Sequence, residues 1–421
     1  MKNIRLLWRQ TFAKHHPRLP GLEILRFVGP GLLVTVGFID PGNWASNLSA
    51  GSAYGYKLLW VVTLSTVMLI FLQHNAAHLG IATGLCLSEA CTIYYPNWVS
   101  KLFLASGVGA AVATAVAEIL GAAIGLNMLF GLPLPVGSIL SALLVAYLLF
   151  SNGYRKLEKW IIGFVSLIGL CFLFELVLVK ISWKEAVPSW FVPSLPSGSI
   201  PILMSVLGAV VMPHNLFLHS EIIQSRQWNQ QEERVIRKQL KFEFLDTLFA
   251  MVVGWMINSA MILVTAAVFY SHGLTVNELP AAEATLKPIL GSAAAYAFAL
   301  ALVFAGLASS ITAVMAGGCI FAGMFREPMD LADNHSRFGM ILTIGGALLV
   351  IFFIRDPFQG LIWSQVILSI QLPWTIFALI FLTFSAKVMG RFTSSLGERT
   401  LLGIIAAIVS VLNIMLLIQM F

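Results

Sequence analysis

The sequence predicts an all-α integral membrane protein with eleven transmembrane helices, arranged as a five-plus-five inverted repeat whose first and sixth helices are broken. Three observations lead to this prediction. Hydrophobic residues make up 58% of the chain and charged residues only 10%, which excludes a water-soluble globular protein. Eleven segments are long and apolar enough to cross a bilayer. Two of these segments, in corresponding places of the two halves, contain a short polar break.

The predicted spans follow from hydropathy, since about 20 consecutive apolar residues cross the roughly 30 Å hydrocarbon core of a bilayer. Segments of this kind lie at residues 28–49, 58–79, 102–128, 133–150, 159–180, 200–225, 242–270, 289–322, 338–354, 361–384 and 400–420. Several are longer than a straight span needs, which allows tilt or a local break.

The Lys and Arg residues predict the orientation of the spans. With a cytoplasmic N-terminus, 20 of the 25 fall on the cytoplasmic side, as the positive-inside rule requires. The net charge of +6 therefore indicates topology, and nucleic-acid binding is not expected because no basic run is interleaved with aromatic residues. Because the termini are short and carry no evident organelle signal, a multi-pass protein of a plasma membrane, most simply a bacterial inner membrane, is expected.

Five parts are expected along the chain. Residues 1–27 form a basic cytoplasmic N-terminus, 28–182 the first repeat, 183–200 an extracellular linker, 201–384 the second repeat, and 385–421 an appendage with the eleventh span. Because each repeat has an odd number of spans, the two repeats have opposite orientations in the membrane. A pseudo-twofold axis then brings both breaks to the midplane, where inverted-repeat transporters bind their substrates.

The first break is Asp40-Pro41-Gly42-Asn43, with apolar or small residues on both sides. A carboxylate at bilayer depth is costly and a proline removes a backbone donor, so both are tolerated mainly where the backbone lines a buried cavity. The oxygens of Asp40 and Asn43, with freed main-chain carbonyls, are suitable ligands for a cation. The alternative is that Asp40 only caps a helix at an interfacial loop.

The second break is Met212-Pro213-His214-Asn215. Pro213 lacks an amide donor and frees a carbonyl one turn back, near Ala209. The Met212 thioether is a soft ligand, which favours Mn, Fe, Co or Cd over Mg or Ca. A methionine in an apolar helix is usually filler, but this one stands in the break. The two breaks together predict one site for a divalent metal ion.

Four other polar residues are candidates for the same site. Glu118 is a second intramembrane carboxylate. His214 and His219 can bind the metal or relay protons, because imidazole titrates near neutral pH. A single buried histidine is, however, about as often a hydrogen-bonded core residue without either role. Gln365, in the tenth span, offers a neutral oxygen that can join the ligands when the site closes.

Other polar side chains are expected to be structural. His74 and His78 share a face of the second span, but no acidic residue lies beside them and the cytoplasmic end of the span is near. Histidines that snorkel to the interface or are hydrogen-bonded are therefore favoured over a metal pair. Glu175 and Asp246 are expected to pair with neighbours or to face water. The cysteines show no metal-ligand spacing and are expected to pack in the apolar interior; they are Cys86, Cys91, Cys171 and Cys319.

At these residues the chain resembles the Nramp family of divalent metal-ion transporters, proton-coupled importers of manganese and iron with a LeuT-like fold. The resemblance runs from about residue 27 to 384. Besides the two breaks, the matching motifs are Gly29-Pro30-Gly31, Gly55-Tyr56-Lys57-Leu58-Leu59-Trp60, Leu79-Gly80-Ile81-Ala82-Thr83-Gly84, Gly121-Ala122-Ala123, Leu218-His219-Ser220 and Ser364-Gln365-Val366.

The resemblance implies a role for each candidate residue. The implied metal ligands are Asp40, Asn43, the Ala209 carbonyl and Met212, with Gln365 added in the occluded state. Glu118, His214 and His219 match positions linked to proton movement. One departure concerns the third span, where the family usually has Thr-Asp-x-x-Glu and this chain has Ala115 in place of the aspartate. The departure leaves the metal ligands untouched and affects only the proton route.

The sequence therefore predicts a secondary transporter, not an enzyme, that imports Mn²⁺ or Fe²⁺ across the lipid bilayer by alternating access. Proton symport is a separate hypothesis. The metal is a transported substrate; no resident cofactor and no obligate protein partner are expected. Two alternatives stay open: a Mg²⁺ or broad divalent-cation uniporter, in which Met212 is a bystander, and a Na⁺-coupled amino-acid carrier of the same fold.

Overall fold

The computed structural model describes residues 39–151, 179–225, 227–276 and 292–420, together with residues 163, 170, 176, 177 and 279. Within these ranges every regular element is helical, in agreement with the all-α prediction. The first part of the first predicted span and most of the fifth lie outside the described residues.

Fourteen α-helices are numbered here in chain order over the described ranges. They are α1 (Pro41–Tyr54), α2 (Leu59–Thr83), α3 (Leu87–Tyr94), α4 (Asn97–Phe130), α5 (Leu134–Ser151), α6 (Trp183–Ser189), α7 (Ile200–Val210), α8 (Pro213–Gln224), α9 (Glu233–Val268), α10 (Ser292–Gly323), α11 (Asn334–Phe353), α12 (Pro357–Thr383), α13 (Ala386–Met389) and α14 (Leu396–Met420). Short 3₁₀ turns are present at Gly55–Leu58, Trp228–Gln230, Tyr270–His272 and Gly390–Phe392.

Nine stretches of the described residues are long and apolar enough to cross a membrane. The first, Pro41–Thr83, contains the first two predicted spans, because only the 3₁₀ turn Gly55–Leu58 separates α1 from α2. Each of the other eight stretches corresponds to one predicted span. Over the described residues the helices agree with the predicted spans; the first part of the first span and most of the fifth are not covered.

Both breaks follow from the same local rule. Asp40 and Met212 each precede a proline, which disfavours helical backbone at that residue, and both are extended, with φ/ψ of −84°/165° and −76°/117°. The prolines that follow, Pro41 and Pro213, take the first helical positions of α1 and α8, where a missing N–H costs nothing. Each break therefore begins with the N-cap residue of the following helix, Asp40 for α1 and Met212 for α8.

Small residues bring α4 against the first break. A methyl group on Gly306 of α10 would lie 2.6 Å from the carbonyl oxygen of Glu118, so α4 and α10 pack backbone to backbone. On α4 itself, a methyl group on Gly121 would overlap the ring of Pro41. These two contacts hold Glu118 beside the start of α1, in the buried centre of the protein.

Candidate metal site

The two breaks meet at the side chain of Asn43. Its Nδ2 donates to Oδ1 of Asp40 at 2.8 Å and to the carbonyl oxygen of Ala209 at 2.9 Å. Ala209 lies 166 residues away from Asn43 in the chain, and all three residues are fully buried. One amide group therefore joins a carboxylate of the first break to a main-chain oxygen of the second.

Asp40 is both a helix cap and a buried carboxylate. Oδ1 accepts the backbone N–H of Asn43 at 2.5 Å, which caps α1, whereas Oδ2 has no hydrogen-bond donor. A buried carboxylate oxygen without a donor is costly unless it is protonated or bound to a cation. The capping role considered for Asp40 is thus present, but at the protein centre rather than at an interfacial loop.

The second break offers a carbonyl, a sulfur and an amide. The Ala209 carbonyl lies four residues before Pro213, which has no N–H to donate to it. The buried Met212 sulfur accepts from Nδ2 of Asn215 at 3.5 Å. Oδ1 of Asn215 is buried without a donor. Asn215 was not among the predicted ligands, although its place in the same four-residue break was a signal for it.

Gln365 lies where α12 passes both breaks. A methyl group on Gly42 of α1 would overlap the Gln365 side chain, and one on Gly208 of α7 would overlap the Gln365 carbonyl oxygen. Its Nε2 donates to Oγ of Ser364 at 3.1 Å, and its Oε1 is buried without a donor. Two glycines therefore allow α12 to present an unused amide oxygen beside the first break.

Glu118 faces the same site from α4. The carboxyl group of Glu118 lies close to that of Asp40, and its Oε2 accepts from the hydroxyl of Ser309. Oε1 of Glu118, like Oδ2 of Asp40, has no donor. Two neighbouring buried carboxyl groups cannot both be ionised without a large cost, so one of them is readily protonated.

The two candidate histidines of α8 have different surroundings. Nδ1 of His214 is 3.1 Å from the hydroxyl of Thr114, one turn before Glu118 on α4. His214 is fully buried and its Nε2 has no partner. His219 lies farther along α8, with Nδ1 2.6 Å from Oε1 of Gln73. The hydrogen bond of His214 thus goes to the helix that carries Glu118, whereas that of His219 goes to Gln73 of α2.

Glu243 of α9 connects His219 to the second span. Its Oε1 is 3.9 Å from Nε2 of His219, and its Oε2 is 2.5 Å from Nδ1 of His74. The prediction of a hydrogen-bonded His74 is correct, but the expectation that no acidic residue is near was wrong. Glu243 is 169 residues from His74 in the chain, so sequence neighbours could not show the pair.

Residues 31–419 match the family model described as natural resistance-associated macrophage protein-like, Nramp. The chain belongs to the Nramp family. This membership confirms the prediction that the protein is a multi-pass membrane transporter and not an enzyme.

Two Nramp relatives show how far the similarity extends. The divalent metal cation transporter MntH of Caldanaerobacter subterraneus subsp. tengcongensis is 37% identical over 405 residues, covering 94% of each chain. The MntH protein of Brucella suis biovar 1 is 39% identical over 408 residues, covering 94% of this chain and 89% of its own. The matches therefore span nearly the full length of both relatives.

Solved structures agree with the fold of this Nramp chain. The manganese transporter of Eremococcus coleocola superposes with a TM-score of 0.79 at 26% identity, covering 95% of this chain and 88% of its own. Mhp1, a nucleobase-cation-symport-1 family transporter, has a TM-score of 0.62 at 16% identity and covers 88% of this chain and 81% of its own. Mhp1 shows the fold alone, and it confirms the predicted LeuT-like architecture.

Proposed function

We propose that this protein imports Mn²⁺ or Fe²⁺ by alternating access, with Asp40, Asn43, the Ala209 carbonyl and Met212 as ligands of the ion. The contact of Asn43 with Asp40 and Ala209 carries the proposal, because it brings oxygens of both helix breaks to one point. The names of the relatives support the substrate class. A cytoplasmic N-terminus and a bacterial inner membrane belong to the same proposal.

Asn43 is suited to change between two roles. Its NH₂ group donates to both neighbouring oxygens, and an amide carries an acceptor oxygen on its other arm. Rotating the Asn43 amide by half a turn would put its Oδ1 where the NH₂ group is now. The oxygens of Asn43, Asp40 and Ala209 would then face one cation. Oδ1 of Asn43 accepts no hydrogen bond in the structure, so the rotation breaks no bond to this oxygen.

The chemistry of the second break favours transition metals over the two alternatives. Hard oxygen ligands alone suit Mg²⁺, whereas a thioether at Met212 adds a soft ligand that Mg²⁺ does not use. MhsT, solved in complex with L-phenylalanine, has a TM-score of 0.57 but is only 16% identical, so the likeness shows the fold alone. Neither the Mg²⁺ uniporter nor the Na⁺-coupled amino-acid carrier is favoured.

We also propose that metal import is coupled to proton movement in the same direction. The proximity of the carboxyl groups of Asp40 and Glu118 supports it, because a cation bound at Asp40 would displace a proton held by the pair. His214 is a nearby titratable group, with Nδ1 3.1 Å from the hydroxyl of Thr114, one turn before Glu118 on α4. Since Ala115 replaces the usual aspartate, Glu118 and His214 are the residues we expect to carry the proton.

Uptake into proteoliposomes tests the proposal. We expect the purified protein to take up Mn²⁺ and Fe²⁺ faster when the outside is acidic, with acidification of the lumen during uptake. Uptake without acidification, and without any effect of a pH gradient, would contradict proton coupling alone. Uptake no faster than in protein-free liposomes would contradict the proposed function itself.

Glu118→Gln is expected to separate metal binding from proton movement. The glutamine keeps the size of the side chain and a group that can pair with Asp40 but cannot release a proton at neutral pH. We expect Mn²⁺ binding to stay within about tenfold of wild type, a change of about 1.4 kcal/mol, while the lumen no longer acidifies during uptake. Acidification at the wild-type rate would remove Glu118 from the proton route.

Gly42→Ala is expected to displace the Gln365 amide without unfolding the protein. The three atoms nearest to the added methyl group all belong to the flexible side chain of Gln365, so we expect that side chain to move while α1 and α12 keep their positions. We expect slower Mn²⁺ uptake at unchanged thermal stability, as for Gln365→Ala. Gly109→Ala is the control, since nothing lies within 4 Å of a methyl group there. Unchanged uptake in both Gly42→Ala and Gln365→Ala would exclude Gln365 as a ligand.

A further inference from the structure

Three buried side chains meet away from the two helix breaks. Cys86 is the N-cap of α3, Glu221 lies in the last turn of α8, and Cys319 lies near the end of α10. One sulfur or carboxylate oxygen from each residue lies within 4.8 Å of the other two. Cys319 is 98 residues from Glu221 in the chain, so only the fold assembles this cluster.

Each of the three side chains makes a hydrogen bond within the cluster or with a residue beside it. Sγ of Cys319 donates to Oε2 of Glu221 at 3.6 Å, and the backbone N–H of Met329 donates to Oε1 of Glu221 at 2.9 Å. Sγ of Cys86 is 3.1 Å from the hydroxyl of Ser88. Such outer contacts orient the ligands of metal sites. The sequence-based expectation of inert packing describes Cys91, which is buried outside the cluster, but not Cys86 and Cys319.

Two buried carboxyl groups lie at the cluster without a basic partner among the described residues. Glu221 and the neighbouring Glu89 are both only 4% exposed. Oε2 of Glu89 accepts from the backbone N–H of Cys86 and from Nε2 of Gln224. Among the ion pairs of the described residues, none joins Glu221 or Glu89 to a Lys or Arg. Buried carboxylates are rare without a cationic partner or a metal.

We propose that Cys86, Glu221 and Cys319 bind a thiophilic divalent metal ion such as Co²⁺, Zn²⁺ or Cd²⁺ at a second site. Two thiolates and a carboxylate form a ligand set that suits these ions and does not suit Mg²⁺. The bound ion would tie α8, which starts at the second break, to α3 and α10. This site goes beyond the proposed transport function and does not depend on it.

Cobalt absorption spectroscopy on the full-length protein tests the second site. Co²⁺ is titrated into detergent-purified protein with a non-thiol reductant, and the near-ultraviolet charge-transfer band of Co²⁺–thiolate bonds is recorded. The oxygen and thioether ligands of the helix breaks do not produce this band. We expect it in wild type and in Asp40→Asn, and expect its loss in Cys86→Ser and in Cys319→Ser. The matched control is Cys91→Ser, a buried thiol of α3 outside the cluster, which should keep the band.

A second variant covers the case in which the cysteine variants do not fold. Glu221→Gln keeps both thiols, and we expect it to bind Co²⁺ at least about tenfold more weakly, because even outer contacts of a metal site are typically worth 10- to 100-fold in affinity. No band in wild type, or a band that persists in folded Cys86→Ser and Cys319→Ser, would overturn the proposal. Because this readout needs no transport, failure of Mn²⁺ uptake and failure of the second site are distinguishable.

Discussion

Asp40→Asn is expected to abolish Mn²⁺ uptake while the protein stays folded. Removing one partner from a buried charge pair typically costs 2–5 kcal/mol, so we expect uptake to fall by roughly 30-fold or more. Asparagine caps helices about as well as aspartate, so α1 should still begin at Pro41. The measurement is initial Mn²⁺ uptake into proteoliposomes, with thermal stability followed in the same preparation.

The matched control for Asp40 is Asp333. Asp333 is the N-cap of α11, where its side chain accepts from the backbone N–H groups of His335 and Ser336. Asp333→Asn makes the same chemical change at a capping aspartate outside the site, and uptake should stay within about twofold of wild type, below about 0.5 kcal/mol. Near-normal uptake in folded Asp40→Asn would show that Asp40 serves only as a cap and would contradict the proposed ligand set.

Met212→Leu is expected to remove the preference for transition metals over Mg²⁺. Leucine has nearly the volume of methionine, so the break should keep its packing, but it offers no sulfur. Wild-type Mn²⁺ uptake should resist excess Mg²⁺, whereas uptake by the variant should be inhibited by it. We expect the affinity for Cd²⁺, a soft ion, to fall at least about tenfold. Loss of a residue that only contacts a ligand typically lowers metal affinity 10- to 100-fold, and loss of a ligand should lower it at least as much.

Met204→Leu is the control for this change. Met204 is also fully buried and lies on α7, two turns before the break. Its replacement should leave the response to Mg²⁺ and the Cd²⁺ affinity as in wild type. If wild type and Met212→Leu are equally sensitive to Mg²⁺, Met212 is a packing residue. The protein would then be a carrier for a broad range of divalent cations.

The parts of the site that depend on local chemistry were predictable from the sequence. Pro41 and Pro213 set the positions of the two breaks, because a proline acts on its own backbone and on the residue before it. The same local reasoning identified Asp40, Asn43 and the Ala209 carbonyl, and the structure brings these three together. Gln365 was identified from a motif, and its approach to both breaks became visible only where α12 meets Gly42 and Gly208.

Contacts between distant polar residues were not predictable in this way. The pairs of Asp40 with Glu118 and of His74 with Glu243, and the cluster of Cys86 with Cys319, join different helices. In a soluble helix an apolar stripe shows which side is buried. A membrane helix is apolar toward lipid as well as toward protein, so its sequence does not show which way each side chain points. Hydropathy and prolines therefore defined the spans and breaks, whereas helix packing decided which polar groups meet between them.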